Sequence, residues 1–272
     1  MNNIPVIKVE GKNIPEAWEK AVLETWKNGI EIKTEYDRKG DPPSRDCTMI
    51  IEIEDPYAEP RIHRAFPGGL NDLEEYRQEV VDGIHDYFLG TKDAWHYTYH
   101  ERLFTYNIHG KKINQIDYIV QKLSEVKYSR RAQAITWNVD IDPPVDDAPC
   151  LQRVWCRILG DDELTLNMNT HWRSRDGYKA AFMNIFALTD LQKIIAEKIS
   201  EKIGKEVKVG RYVDIADSFH IYGSYYDEFK GFLKTVETRS FEERTWNSEF
   251  AEPIFEEEKI RLEKELKEDG RT

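Results

Sequence analysis

The amino-acid sequence predicts a single α+β domain spanning residues 1–272, and three observations carry that expectation. Helical and strand periodicities occur in separate stretches of the chain. In residues 71–90, Leu73, Tyr76, Val80, Ile84 and Phe88 recur at helical spacing, whereas ELTLNMNTHW (163–172) alternates apolar and polar side chains as a half-buried strand does. No internal repeat, low-complexity tract or change of composition divides the chain, and its 272 residues suffice to bury a substantial core.

Taken in order, residues 15–28 (PEAWEKAVLETWKN) place Pro15 near the first helical position and Gly29 just past the end, which predicts a helix. EYDRKGDPPSRD (35–46), dense in Gly, Pro and Asp, predicts a loop, CTMIIEIE (47–54) a strand, and PRIHRAFPGG (60–69) a second loop. Asn71 is expected to cap a helix over 71–90. Residues 113–126 read as an amphipathic helix, and AQAITWNV (132–139), LQRVWCRIL (151–159) and 163–172 as strands. A long helix over 182–204 closes at Gly204, residues 205–222 are extended, 225–236 helical, and 253–268 form a charged surface helix.

Hydrophobic residues make up 40% and charged residues 33% of the chain, a balance that excludes disorder. No apolar run reaches about 18 residues, and MNNIPVIKVEGK has no apolar signal region, so a soluble cytoplasmic protein without membrane contact is expected. Cys47, Cys150 and Cys156 cannot all pair and match no zinc spacing, which predicts a reducing compartment where a thiol persists. No histidine cluster stands beside carboxylates, His96 and His100 flanking only Tyr and Thr, so no metal is expected. The net charge of −12 argues against a broad nucleic-acid surface, because backbone affinity comes from clustered Lys and Arg. A local arginine cluster can still bind one phosphate.

Cys150 follows the acidic, proline-rich stretch VDIDPPVDDAP and directly precedes the strand at 151–159. A thiol at such a junction can open onto a cleft, whereas Cys156, among Val154, Trp155 and Ile158, is expected in the core. Ser129-Arg130-Arg131 ends a helix and Arg173-Ser174-Arg175 follows a strand. Guanidinium forks at both places suit phosphate oxygens, and cations near Cys150 should lower its thiol pKa.

Ser129-Arg130-Arg131, Trp137-Asn138, Pro149-Cys150, Arg173-Ser174-Arg175-Asp176, Asn184 and His220-Ile221-Tyr222 occur in that order, with twelve positions from Asn138 to Cys150 and eight from Asp176 to Asn184. Over roughly residues 95–230 this series resembles the folate-dependent thymidylate synthases. The resemblance implies a mixed β-sheet packed with helices, a sheet-to-sheet homodimer with shared active sites, and 5,10-methylenetetrahydrofolate as one-carbon donor to a pyrimidine nucleoside monophosphate. It implies that a Cys150 thiolate adds to carbon 6 of the ring and makes carbon 5 nucleophilic. Asn184 would read a uracil edge, and His220 and Tyr222 would hold a sugar hydroxyl. Arg173, Ser174 and, from the other subunit, Arg130 and Arg131 would bind the 5′-phosphate. Tyr99 would be the active-site tyrosine, Glu79 (with Glu75 as rival) the catalytic glutamate, Arg38 (with Arg45 as rival) a further phosphate ligand, and Asp176 a contact of the pterin.

The chain also departs from that pattern. Leu151 follows the nucleophile where the family has His, Trp155 replaces a Gln, Arg175 replaces the Cys of Arg-Ser-Cys-Asp, and the short apolar C-terminus has no counterpart. A divergent member is implied, with two reactions open: reductive methylation of dUMP to dTMP, or hydroxymethylation by water addition to the same methylene intermediate. A catalytically silent nucleotide-binding protein is the remaining alternative, opposed by the retention of Cys150 together with the phosphate ligands.

Overall fold

The computed structural model describes residues 3–90 and 95–268. β1 (Val6–Gly11) leads into α1 (Ile14–Asn28), where the Asn13 side chain accepts from the Glu16 N–H and caps the first turn. β2 (Ile30–Ile32) pairs with β3 (Ser44–Ile53), and this pairing draws Ser44, Arg45 and Asp46 out of the expected loop into the strand. β4 (Ile62–His63) is a short strand inside the second predicted loop.

α2 (Leu70–Asp82) starts at a different cap from the one expected: Gly69, not Asn71, precedes it, and the Gly69 N–H donates to the Asp72 carboxylate at 2.7 Å. The helix also stops short of the predicted 71–90. Gly83 adopts a φ of 70°, and a Cβ there would strike the His100 ring, so the chain turns and leaves Ile84 and Phe88 outside the helix.

α3 (Tyr99–Phe104), β5 (Tyr106–Ile108), β6 (Lys111–Ile113), α4 (Gln115–Glu125) and β7 (Gln133–Ile135) follow. The strand predicted over 132–139 shrinks to its first part because the Asp142 carboxylate captures the Asn138 N–H at 2.6 Å and bends the chain away. Next come β8 (Leu151–Leu159), β9 (Leu164–Trp172), β10 (Arg175–Asp176), α5 (Ala181–Ile203), β11 (Val207–Ile221) and α6 (Tyr226–Thr238). β12 (Thr245–Trp246) and α7 (Ser248–Glu268) complete the order.

The principal sheet runs β1-β3-β11-β9-β8-β7, with β2 added to β3 and β10 to β11. β1 with β3 and β9 with β11 are parallel, while β3 with β11, β8 with β9 and β7 with β8 are antiparallel, so the sheet is mixed and the fold α+β. One face packs on α1, α4 and α5, burying Met49, Ile51, Val154, Cys156, Leu166 and Met168 with Trp18, Phe182 and Ile195. Cys47 and Cys156 are core thiols on this face. On the opposite face Trp155, Arg157, Asn169, His171, Arg211 and Ile215 stay half exposed. No helix among the described residues is long and apolar enough to cross a membrane.

Candidate active site

A cleft of about 410 Å³ lies where β8, β9 and β11 meet the N-terminal part of α5, with α2 and α3 forming its far wall. Eight side chains expected at the site line it: Glu79, Tyr99, Cys150, Ser174, Asp176, Asn184, His220 and Tyr222. They come from elements scattered over 144 positions of chain (79 to 222), and the sheet register brings them together.

The loop that carries Cys150 is clamped from two sides. Asp142 forms a buried two-pronged pair with Arg102 of α3 at 2.7 and 3.0 Å, and Arg102 also donates to the Thr136 carbonyl at 2.9 Å. Arg173 donates to the carbonyls of Ala148 (2.7 Å) and Pro149 (3.1 Å), while its backbone N–H reaches the Cys150 carbonyl at 2.9 Å. A loop so tied presents its thiol in one place. The Tyr99 hydroxyl accepts from the Leu151 N–H at 3.3 Å, one residue past Cys150. Burial pushes the Tyr99 phenol up to about 12, so it stays protonated at neutral pH.

The expected lowering of the Cys150 pKa needs correction. Burial against the cleft wall raises it, and although Arg173 and Arg175 pull it down, Asp147 adds to the rise. Removing a thiolate from water outweighs two cations that are themselves engaged elsewhere.

Asn184 stands in the first turns of α5, 9% exposed. Its Oδ1 accepts from Arg175 at 3.1 Å and its amide nitrogen donates to the Tyr76 hydroxyl. Asp176 accepts from the backbone N–H groups of Tyr178 (3.1 Å) and Lys179 (2.8 Å), yet burial pushes its carboxyl up to about 6. At the end of β11 the Ser218 hydroxyl donates to Asp46 at 2.7 Å and lies 3.2 Å from His220 Nδ1. With the hydroxyl proton spent on Asp46, Ser218 can only accept from His220, which puts the imidazole proton on Nδ1. Burial lowers the His220 pKa to about 4, so the ring is neutral, and its bare Nε2 has no partner among the described residues. An orphaned acceptor in a cleft wall suits a ligand hydroxyl.

The two glutamate candidates separate. Glu79 lines the cleft and meets His85 Nδ1 at 3.0 Å. Glu75 lies behind the same ring, 3.4 Å from Nε2, and pairs with Arg261 of α7 at 3.2 Å. The arginines divide as well. Arg173 is held on the loop carbonyls and lines a separate depression with Tyr36, Trp137 and Asp146, next in the chain to Ser174, which does line the cleft. Arg38 is exposed in the loop before β3, and Arg45 pairs with Glu31 at 2.8 Å over the Trp26 ring. Arg130 and Arg131 are exposed before β7, outside this chain's cleft, next to a surface depression with Tyr118 and Gln133.

Tyr76, Tyr97 and Trp172 also line the cleft and were not expected there, and Arg175, expected as a phosphate-binding guanidinium, lines it as a buried cation instead. Tyr76 lies three residues before Glu79 on one helical face, a signal that was available. The burial of Arg175 gave none, because the partner that buries it is Asp214, on another strand.

The architecture is that of the thymidylate synthases: the thermostable thymidylate synthase A of Bacillus subtilis superposes with a TM-score of 0.58 at 18% identity, covering 80% of this chain and 83% of that one. The profile of the thymidylate synthase family matches residues 69–258, and the chain belongs to that family as a divergent member. A relative from Methanocaldococcus jannaschii, provisionally named a thymidylate synthase, is 33% identical over 219 residues, 79% of this chain and 90% of its own length. One from Methanosarcina barkeri, named likewise, is 32% identical over 231 residues, 84% and 95% of the two chains. The family is one of transferases.

Proposed function

We propose that this protein transfers a one-carbon unit from 5,10-methylenetetrahydrofolate to carbon 5 of a uridine nucleotide, dUMP to dTMP, through a Cys150 adduct at carbon 6, with the hydride that reduces the methylene to a methyl coming from the same folate, which leaves as dihydrofolate. The observation that supports it best is the convergence of Cys150, Tyr99, Glu79, Asn184, His220 and Tyr222 on one cleft. Cys150 attacks carbon 6 as the thiolate, which Arg173 and Arg175 favour against the burial that opposes it. Charge then develops on the ring at carbon 5 and O4, where the remaining N–H of Asn184 supplies a donor. Tyr99, protonated, orients rather than abstracts, and Glu79 is the group left to take and return protons. The bare Nε2 of His220 accepts from a sugar hydroxyl, with Tyr222 beside it at a ring-centroid distance of 4.5 Å. Ser174 and the free N–H groups of Arg173 face the 5′-phosphate.

The Asp176 carboxyl, anchored by two backbone N–H groups, fits the N–H edge of a pterin and would hold the folate ring there. It offers both oxygens as acceptors only when ionised, since protonation turns one of them into a donor, and its pKa is raised to about 6. Turnover at limiting folate should therefore fall about tenfold per pH unit below that value, and Asp176→Asn should remove the inflection. A profile flat down to pH 5 would take Asp176 out of that role. The same shift means the folded state binds this proton more tightly than the unfolded one, so its contribution to stability declines as pH rises from 3.8 to about 6.

The half-exposed sheet face and the exposed Arg130 and Arg131 support a sheet-to-sheet homodimer in which those arginines complete the partner's phosphate site. Trp155, on that face, donates to the Arg130 carbonyl at 3.1 Å and ties the arginines to its edge. Mixing an Arg130→Ala subunit with a Cys150→Ser subunit should then restore activity at the hybrid site that keeps both residues. Absence of recovery, with subunit exchange verified, would remove the sharing. The free thiols and the family support a cytoplasmic location.

The deciding experiment incubates the protein with methylenetetrahydrofolate and each pyrimidine monophosphate and weighs the product. A methyl product supports the synthase reaction, and one oxygen more would make the protein a hydroxymethylase. Nucleotide binding without folate-dependent exchange of the carbon-5 hydrogen would make it a silent binder.

A further inference from the structure

We propose that Arg175 decides which base this cleft accepts, by locking the Asn184 amide in one orientation. The inference rests on the reading of the cleft as a pyrimidine nucleotide site.

Arg175 is 2% exposed, and its guanidinium lies 3.7 Å from the centroid of the Trp172 ring. Its charge is met by Asp214 at 2.8 Å, itself fully buried and accepting from the Tyr212 hydroxyl at 3.2 Å. Thr170 joins Tyr212 at 2.7 Å and accepts from the Trp172 indole N–H at 3.2 Å, so the stacking ring and the counter-ion are tied into one network. A guanidinium fixed by an ion pair, a ring and the Ala181 carbonyl (3.3 Å) cannot swing to suit a ligand.

A guanidinium has donors and no acceptor, so the Asn184 atom that faces it must be the oxygen. Tyr76, on the amide's other side, does not choose, because a phenol hydroxyl donates or accepts equally well. Arg175 alone therefore sets the orientation. What remains for the cleft is one lone pair on Oδ1 and one hydrogen on Nδ2. A uracil edge, with N3–H beside O4, matches that pair. Cytosine presents the reverse, an acceptor at N3 beside an amino group, and satisfying it requires a flip that sets the Asn184 NH₂ against the buried cation.

The test removes the buried pair together, Arg175→Gln with Asp214→Asn, so that neither charge is left unpartnered. A glutamine amide can rotate with Asn184 and serve either orientation. The wild type should favour dUMP over dCMP, in kcat/KM and in equilibrium titration, and the double variant should lose about tenfold or more of that ratio. A variant that weakens both nucleotides alike, with the ratio kept, gives Arg175 a merely structural part and overturns the inference. Tyr76→Phe, which leaves the buried pair intact, guards against a double variant that fails to fold: it should keep the ratio, and its loss there would overturn the inference by making Tyr76 the lock. If the unmutated protein neither binds nor converts either nucleotide, the reading of the cleft itself has failed, and this inference falls with it.

Discussion

Replacing the Cys150 sulfur with oxygen should abolish turnover while Cys47→Ser and Cys156→Ser leave the chemistry in place. A serine hydroxyl in that clamped loop has the position but not the nucleophilicity, and loss of a covalent step removes on the order of 5 kcal/mol or more of barrier lowering. The substitution should not disturb the fold, because Arg102, Arg173 and Tyr99 hold the loop through Asp142 and backbone atoms rather than through the thiol. Nucleotide titration should show binding kept while turnover is lost. Cys47 and Cys156 are fully buried core thiols, pushed up to about 11 and about 12 by burial; Cys156→Ser should cost stability by placing a hydroxyl in an apolar wall, and Cys47→Ser less, because the sulfur there already meets the Thr25 hydroxyl at 3.4 Å and the Phe219 carbonyl at 3.7 Å. Full activity in Cys150→Ser would end the covalent mechanism.

Asn184→Asp should reverse the base preference. The new carboxylate faces Arg175 and so favours the ionised form, whose oxygens only accept. One oxygen then accepts from the cytosine amino group, and a proton taken up from solvent on binding, held between the other oxygen and ring N3, completes the pair. Uracil O4 would meet a like-charged acceptor. We expect kcat/KM for dUMP to fall about tenfold to a hundredfold and the dUMP-to-dCMP ratio to move toward dCMP. An unchanged ratio would show that position 184 does not read the base. The effect differs from the loss of Arg175: one variant replaces the recognising group, the other frees it to rotate.

Much of this protein is written in local pattern. The alternation in β9 determines which residues face the helices, and the helical repeat of α5 with Gly204 at its end determines a buried helix of that length. Both follow from burying one face of a periodic element. The order and spacing of Cys150, Asn184 and His220-x-Tyr222 were equally legible as a resemblance, and the structure brings all four side chains to one cleft. Tertiary structure decided the rest. The helix predicted over 71–90 ended at Gly83 because His100, from α3, occupies the space a side chain would need. The thiol pKa of Cys150 went up rather than down, because charge counting along the chain says nothing of how dry the wall is. Arg173 turned to loop carbonyls, and Arg175 became a buried counter-ion of Asp214. That last pairing depends on β9 lying parallel to β11 in a register that sets Asp214 against Thr170, beside the strand that ends in Trp172. Periodicity tells a residue which way to face; which partner it meets there depends on a neighbour that can lie anywhere in the chain, and only the packed sheet supplies it.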